Sequence, residues 1–197
     1  MGLRRGNVRS EDFEWISNRD LIDSAHLLMG NIDLDPASST TANEYVGATK
    51  YYTPKEDGLN DMPWHGKVYL FPPSSSYFWD KKNQRWQKTS GSSPTLTSGH
   101  ALQWRAFKKK WLAKDVDQAV FFTNFLDMTM YAQDIFDHPV CFMKIRPSLI
   151  RHYYTDNKII THDTSCSMIV YLQPSCNSGE KTQEFINIYS EKGRVIA

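Results

Sequence analysis

Two short stretches of this chain and one basic run carry residues whose types and spacing could do chemistry. In Gly30-Asn31-Ile32-Asp33-Leu34-Asp35-Pro36-Ala37-Ser38, apolar and acidic residues alternate up to a proline. That pattern predicts a short strand bringing carboxylates to its carboxyl end, which is where α/β sheets seat their ligands. Pro36 fixes the turn that follows, and small Ala37 and Ser38 let the backbone come close to a bound molecule. Asp33 and Asp35 are assigned to different faces of the strand, and Asp35 alone is expected to look toward a ligand. In the second stretch, Pro72-Pro73 halts an apolar strand running from Lys67 to Phe71. The basic run, Arg105, Lys108, Lys109, Lys110 and Lys114, falls on a helical pattern and could neutralise phosphates, as could Arg4, Arg5 and Arg9 near the amino terminus. The same residues also suit a solvated helix face and a solubilising tail.

Composition narrows the classes. A chain of 197 residues suits one compact domain, taken as 1–197, and is short for a catalytic domain with a separate target-recognition domain. A net charge of +1 gives no global pull toward nucleic acid, so such binding has to come from local patches. Cys141, Cys166 and Cys176 are odd in number, widely spaced and without a C-x-x-C pair, which argues against a disulfide framework and a zinc site. His65, His100, His138 and His162 lack metal-ligand spacing and read as structural, and no Ser/His/Asp nucleophile motif is present. No metal site is expected. No run approaches the roughly 20 apolar residues that span a bilayer, and no apolar stretch follows the first arginines. Neither membrane segment nor signal peptide is expected, and the protein is expected inside the cell, in cytoplasm or nucleus.

The elements that must position these residues follow from periodicity. Phe13, Ile16, Leu21, Ala25 and Leu28 predict a helix between Ser10 and Met29, stopped by Gly30. Strands are predicted at 67–71, 118–123 and 140–145. Ala101, Trp104, Phe107 and Trp111 give a helical stripe, and Met128 to Phe136 a weaker one. Strand, helix and strand then recur at 167–172, 182–189 and 194–197. Such alternation predicts an α/β domain whose largely parallel sheet is flanked by helices. Ser74 to Gly99 is rich in Ser, Thr, Lys and Gly, with Tyr77, Phe78, Trp79 and Trp86 interspersed, and shows no period. It is expected to be a long, substrate-facing loop.

Gly30 to Ser74 resembles the phage-type DNA N6-adenine methyltransferases in residue identity, order and spacing. The blocks are G-N-I-D-L-D-P-A-S, then A-N-E-Y-V-G-A at 42–48, Y-Y-T-P-K-E-D-G-L at 51–59, P-W-H-G-K-V-Y-L at 63–70 and F-P-P-S at 71–74. The likeness extends more loosely over the strand-helix-strand segments that follow. The resemblance implies a Rossmann-like methyltransferase fold that binds S-adenosylmethionine through Asp33, Asp35, Pro36, Ala37 and Ser38, with Asp57 helping to shape the pocket. It implies DNA as the partner, with RNA left open. Phe71, Pro72, Pro73 and Ser74 stand in the place of the catalytic tetrapeptide.

That tetrapeptide departs from the family's N-P-P-Y. The N6 lone pair of adenine is delocalised into its ring, and acceptors from the Asn side chain and a Pro carbonyl direct it at the methyl group while the Tyr ring stacks on the flipped base. Phe71 removes one acceptor and Ser74 the stack. Together these losses amount to about 4–7 kcal/mol, so activity is expected to be reduced or lost. Ser75 or Ser76, and Tyr77 or Phe78, are the residues at hand to substitute. Where relatives carry Thr-Pro against the cofactor, this chain has Ser17-Asn18, which keeps a hydroxyl and a helix cap. The alternative is a non-catalytic, nucleic-acid-binding or scaffolding subunit that works beside a protein partner and keeps the methyltransferase fold.

Overall fold

The computed structural model describes residues 13–53, 55–56, 58, 62–72, 76–80, 85–88, 97–153, 158–164 and 166–197. Along the chain these form β1 (Phe13–Ile16), α1 (Arg19–Met29), β2 (Leu34–Asp35), α2 (Thr40–Val46), β3 (Lys50–Tyr51) and β4 (Lys67–Leu70). Then come β5 (Ser76–Asp80), β6 (Arg85–Lys88), β7 (Thr97–Ser98), α3 (Gly99–Leu112) and β8 (Gln118–Thr123). Two 3₁₀ segments, Leu126–Met130 and Gln133–Asp137, lead to β9 (Val140–Met143), β10 (Ser148–Tyr153), β11 (Ile159–Asp163), β12 (Met168–Leu172), α4 (Ser178–Tyr189) and β13 (Gly193–Ile196).

The central sheet has seven strands in the order β13-β9-β12-β8-β4-β2-β3. It is mixed, where a largely parallel sheet was expected. β3, β2, β4 and β8 run parallel, whereas β12 lies antiparallel to β8 and β9, and β13 antiparallel to β9. β8 and β12 are buried along their whole length. They read as continuous apolar runs because helices or 3₁₀ turns cover both faces.

Successive strand residues feed the two cores in turn. Val68, Leu70, Ala119 and Phe121 pack under α3 and the 3₁₀ segments. Tyr69, Phe71, Val120 and Phe122 pack under α1, α2 and α4.

The helix expected across 10–29 starts at Arg19, and Phe13–Ile16 is a strand paired antiparallel with β10. The Asn18 side chain accepts the Leu21 N–H at 3.1 Å and closes the helix there, as a cap residue should. Trp15 faces Arg151 across the β1–β10 pair, with the guanidinium 4.1 Å from the ring centroid. Gly30 ends α1 at φ 83, a conformation costly for residues with a Cβ. The segment 74–99, expected as a loop, contains β5, β6 and β7, an antiparallel sheet in the order β6-β5-β7. The weaker helix at 128–136 is two 3₁₀ turns. Among the described residues no helix is long and apolar enough to cross a membrane.

Candidate ligand site at the carboxyl end of the sheet

The parallel strands change direction of travel between β2 and β4. From β2 the chain goes through α2 to β3 on one side, and from β4 through α3 to β8 on the other. Val46 of α2 belongs to one core and Ala101, Trp104 and Phe107 of α3 to the opposite one, so the two connections leave on opposite faces. Divergence of this kind opens a crevice at the carboxyl ends of the two strands, the place where open α/β sheets bind ligands. Asp35 ends β2, and Phe71-Pro72 follows β4.

Asp35 is 4% exposed, and its Oδ1 accepts the Ala37 N–H at 3.1 Å. Burial pushes its carboxyl up to about 6, although the bonds from Ala37 and Ser38 pull the other way; the charge of Glu14 adds to the rise. No cationic side chain pairs with it among the described residues. A buried carboxylate so placed is poised to accept hydrogen bonds from hydroxyl or ammonium groups.

The strap formed by β1 closes over this turn. Ser39 caps α2 by accepting the Ala42 N–H at 2.9 Å and donates to Glu14 Oε1 at 2.8 Å; His152 Nδ1 lies 3.1 Å from the same oxygen. Ser17 is 2% exposed, and its Oγ accepts a hydrogen bond from the Tyr69 hydroxyl at 2.6 Å.

Three of the sequence blocks, 30–38, 51–59 and 63–70, are tied together around Asp35-Pro36. Tyr52 N–H donates to the Asp35 carbonyl at 3.0 Å and Ser38 N–H to the Tyr52 carbonyl at 2.9 Å. The Tyr52 hydroxyl donates to Pro63 O at 2.7 Å, and Trp64 Nε1–H to Gly58 O at 2.6 Å. Gly58 presses on the turn itself: a Cβ there would stand 2.4 Å from the Pro36 carbonyl oxygen and 2.4 Å from Tyr52 Cβ. Asn43, in the remaining block before β4, clamps Ala48 with bonds of 3.0 and 3.1 Å to its N–H and carbonyl.

Asp33 is spent elsewhere. Its Oδ2 accepts the Lys67 N–H at 2.9 Å and its Oδ1 a bond from Asn31, at the amino ends of β2 and β4. Residues two apart share a strand face. Position along the strand, not the expected opposite faces, therefore separates Asp33 from Asp35. Asp57, Pro73 and Ser74 lie outside the described residues, as do Arg4, Arg5, Arg9 and Ser75. The side chains of Ser76, Tyr77, Phe78, Trp79 and Trp86 do too.

Phe71 is 9% exposed and packs its ring 4.9 Å from that of Phe122 and 6.3 Å from that of His100. His100, in the first turn of α3, is buried; its Nδ1 lies 2.7 Å from the Thr123 hydroxyl, and its Nε2 has no partner. Burial pushes the imidazole down to about 3, so it is neutral near pH 7. Asn124 Oδ1, just past β8, is also buried without a partner. Sequence reasoning set His100 aside as structural and did not single out Asn124, and no local pattern marks either.

Part of the basic run is engaged within the protein. Lys108 donates to His138 Nε2 at 2.8 Å, stands 3.6 Å from Asp134 Oδ2 and lies over the Trp104 ring at 5.7 Å. Lys110 bonds the Met62 carbonyl at 3.1 Å and Arg105 the Tyr131 carbonyl at 3.3 Å. Lys109 and Lys114 are exposed, the latter at φ 62 just after the helix. Arg105, Lys108 and Lys109 stand three and four residues apart on α3, neighbours on one helix face, and part of the run's donors bond within the protein.

No family model, curated protein or solved structure matches the chain.

Proposed function

We propose that this chain is an S-adenosylmethionine-binding protein with a Rossmann-like methyltransferase fold, allied to the phage-type DNA N6-adenine methyltransferases, and that its methyl transfer is reduced or lost. One observation carries the reading. Three of the blocks on which the resemblance rests, 30–38, 51–59 and 63–70, meet at the turn after β2 at the switch point of the sheet, with Gly58 pressed against Pro36. S-adenosylmethionine would supply an activated methyl group. The chain's own part is acceptance by Asp35 of the ligand's hydroxyl or ammonium hydrogens, close approach along Ala37 and Ser38, and closure by the Glu14–Ser39 contact.

The burial of Phe71 against Phe122 favours a non-catalytic, nucleic-acid-binding subunit as the second reading, because an apolar ring occupies the position that should accept the amine. Labelled-methyl transfer to adenine-containing DNA separates the two readings. Transfer that is weak or absent, alongside measurable cofactor binding, is the expected result. Robust transfer by the unmodified protein would overturn the loss of activity, and absence of cofactor binding would overturn the cofactor assignment.

A further inference from the structure

The ligand turn is gripped from a part of the chain that contributes no residue to it. Ser39 follows the turn residues Pro36, Ala37 and Ser38. Its Oγ accepts the Ala42 N–H at 2.9 Å, so its own proton goes to Glu14 Oε1 at 2.8 Å. On the other side of that oxygen stands His152 Nδ1, at 3.1 Å. A carboxylate oxygen only accepts, so the His152 nitrogen facing it carries a proton and donates. Glu14 Oε1 is thus held between two donors, one beside the turn and one on β10, 138 positions along the chain from Glu14. Glu14 and His152 lie directly opposite each other across the β1–β10 pair, and β10 is the middle strand of its sheet, backed by β11. His152 is 6% exposed and the Glu14 side chain 15%, so water competes little for these bonds. The carboxylate stands close enough to the ligand turn for its charge to act on Asp35.

We propose that His152 is a positioning residue for the ligand site: by donating to Glu14 Oε1 it holds that carboxylate on the Ser39 hydroxyl, and so fixes the backbone of residues 36–39 and the first turn of α2. This rests on the S-adenosylmethionine reading for the identity of the ligand, and it gives the β10–β11 hairpin a task at the site. Without the His152 donor, Glu14 Oε1 keeps one anchor instead of two and is free to leave Ser39. The Ser39 proton then loses its acceptor, and the turn gains freedom that binding has to remove, which lowers affinity. His152 touches neither the ligand nor the turn, and acts through Glu14 alone.

The experiment has two readouts on the full chain: calorimetric titration with S-adenosylmethionine, and hydrogen exchange of the Ala42 amide, which reports the Ser39 cap with no ligand present. The proteins are the wild type, His152→Leu, His152→Asn, Glu14→Ala and the double variant Glu14→Ala with His152→Leu. His152→Leu should weaken binding by about tenfold or more, the size of one hydrogen bond to a charged group, and quicken Ala42 exchange. His152→Asn offers a side-chain N–H close to the place of Nδ1 and should recover most of both losses. Once Glu14 is gone, His152→Leu should change neither readout further. Losses that add across the two positions, an asparagine variant no better than the leucine one, or Ala42 exchange indifferent to every substitution would overturn the positioning role. Should His152→Leu not fold, His152→Asn is set against Glu14→Ala: the first is expected near wild type and the second impaired in both readouts, and equal behaviour would overturn the role. If the wild type does not bind S-adenosylmethionine, the cofactor reading falls, and Ala42 exchange decides the positioning role by itself.

Discussion

The Tyr69 hydroxyl donates to Ser17 Oγ at 2.6 Å, joining two buried residues 52 positions apart in the chain. Through it β4 is tied to the segment that leads from the β1 strap into α1. Tyr69→Phe leaves the Ser17 hydroxyl short of a partner, and Ser17→Ala does the same to Tyr69, so each should cost about 1–3 kcal/mol. The double variant should recover part of that loss, since neither group is then left wanting. Urea denaturation of the three proteins measures the coupling. Additive losses would mean that the pair is not a unit.

Asp35 makes stability depend on pH in a definite sense. Its folded carboxyl sits near 6 against an ordinary value of 3.8, so the folded state holds the proton more tightly and stability falls as pH rises through that window. A shift of about two units corresponds to roughly 3 kcal/mol. His100, pushed down to about 3, and His138, pushed down to about 4, act in the opposite sense below their ordinary 6.5. The readout is therefore the difference between wild type and Asp35→Asn. The variant keeps an oxygen for the Ala37 N–H and should be the more stable protein at pH 7, with the advantage shrinking toward pH 4. A constant difference in melting temperature across that range would contradict this.

Gly58→Ala should be among the most damaging single-methyl changes in the chain. The added carbon meets the Pro36 carbonyl and Tyr52 at 2.4 Å, both held in place by the bonds around Asp35. Overpacking of this kind costs about 1–3 kcal/mol, and the loss should be larger for ligand binding than for fold stability because the displaced atoms are those of the turn. Thermal melting together with a cofactor titration checks both. An unchanged affinity would detach Gly58 from the site.

Any duplex DNA binding should respond to Lys109 and Lys114, which with Arg105 are the exposed members of the basic run, and fall steeply with salt. Lys108→Glu is a different experiment. It breaks the bond to His138 and puts a carboxylate beside Asp134, costing about 1.5–3 kcal/mol of stability whatever the protein binds. Affinity at low salt that survives Lys109→Glu with Lys114→Glu would exclude the run as the phosphate-binding surface.

How far the structure was legible in the sequence varies from element to element. β8 lies where it is predicted, and Gly30 ends α1 by backbone chemistry that the sequence shows, whereas the helix begins after Asn18 and not at Ser10. Phe13 and Ile16 mimic helical spacing, and only their pairing with β10, far along the chain, makes them a strand. The sheet inside 74–99 is likewise fixed by cross-strand pairing, which composition does not report. In the candidate site, Asp35-Pro36-Ala37-Ser38 was readable because strand, turn and acidic end are consecutive. His100 and Asn124 were not, because what distinguishes them is an absent partner in three dimensions. The cluster of basic residues was legible as composition, whereas the bonds that engage Arg105, Lys108 and Lys110 within the protein are decided by packing.

We propose that the turn after β2 binds S-adenosylmethionine through the buried carboxylate of Asp35. Calorimetric titration of the wild type, Asp35→Asn and Asp35→Ala with S-adenosylmethionine, near pH 6 in two buffers of different ionisation enthalpy, tests it most directly. A ligand group that favours the charged carboxylate must drive off the proton that Asp35 partly holds at that pH. The prediction is binding with proton release in the wild type and no binding in Asp35→Ala, with any residual affinity of Asp35→Asn free of proton release. No binding by the wild type, or binding that neither substitution alters, would contradict it.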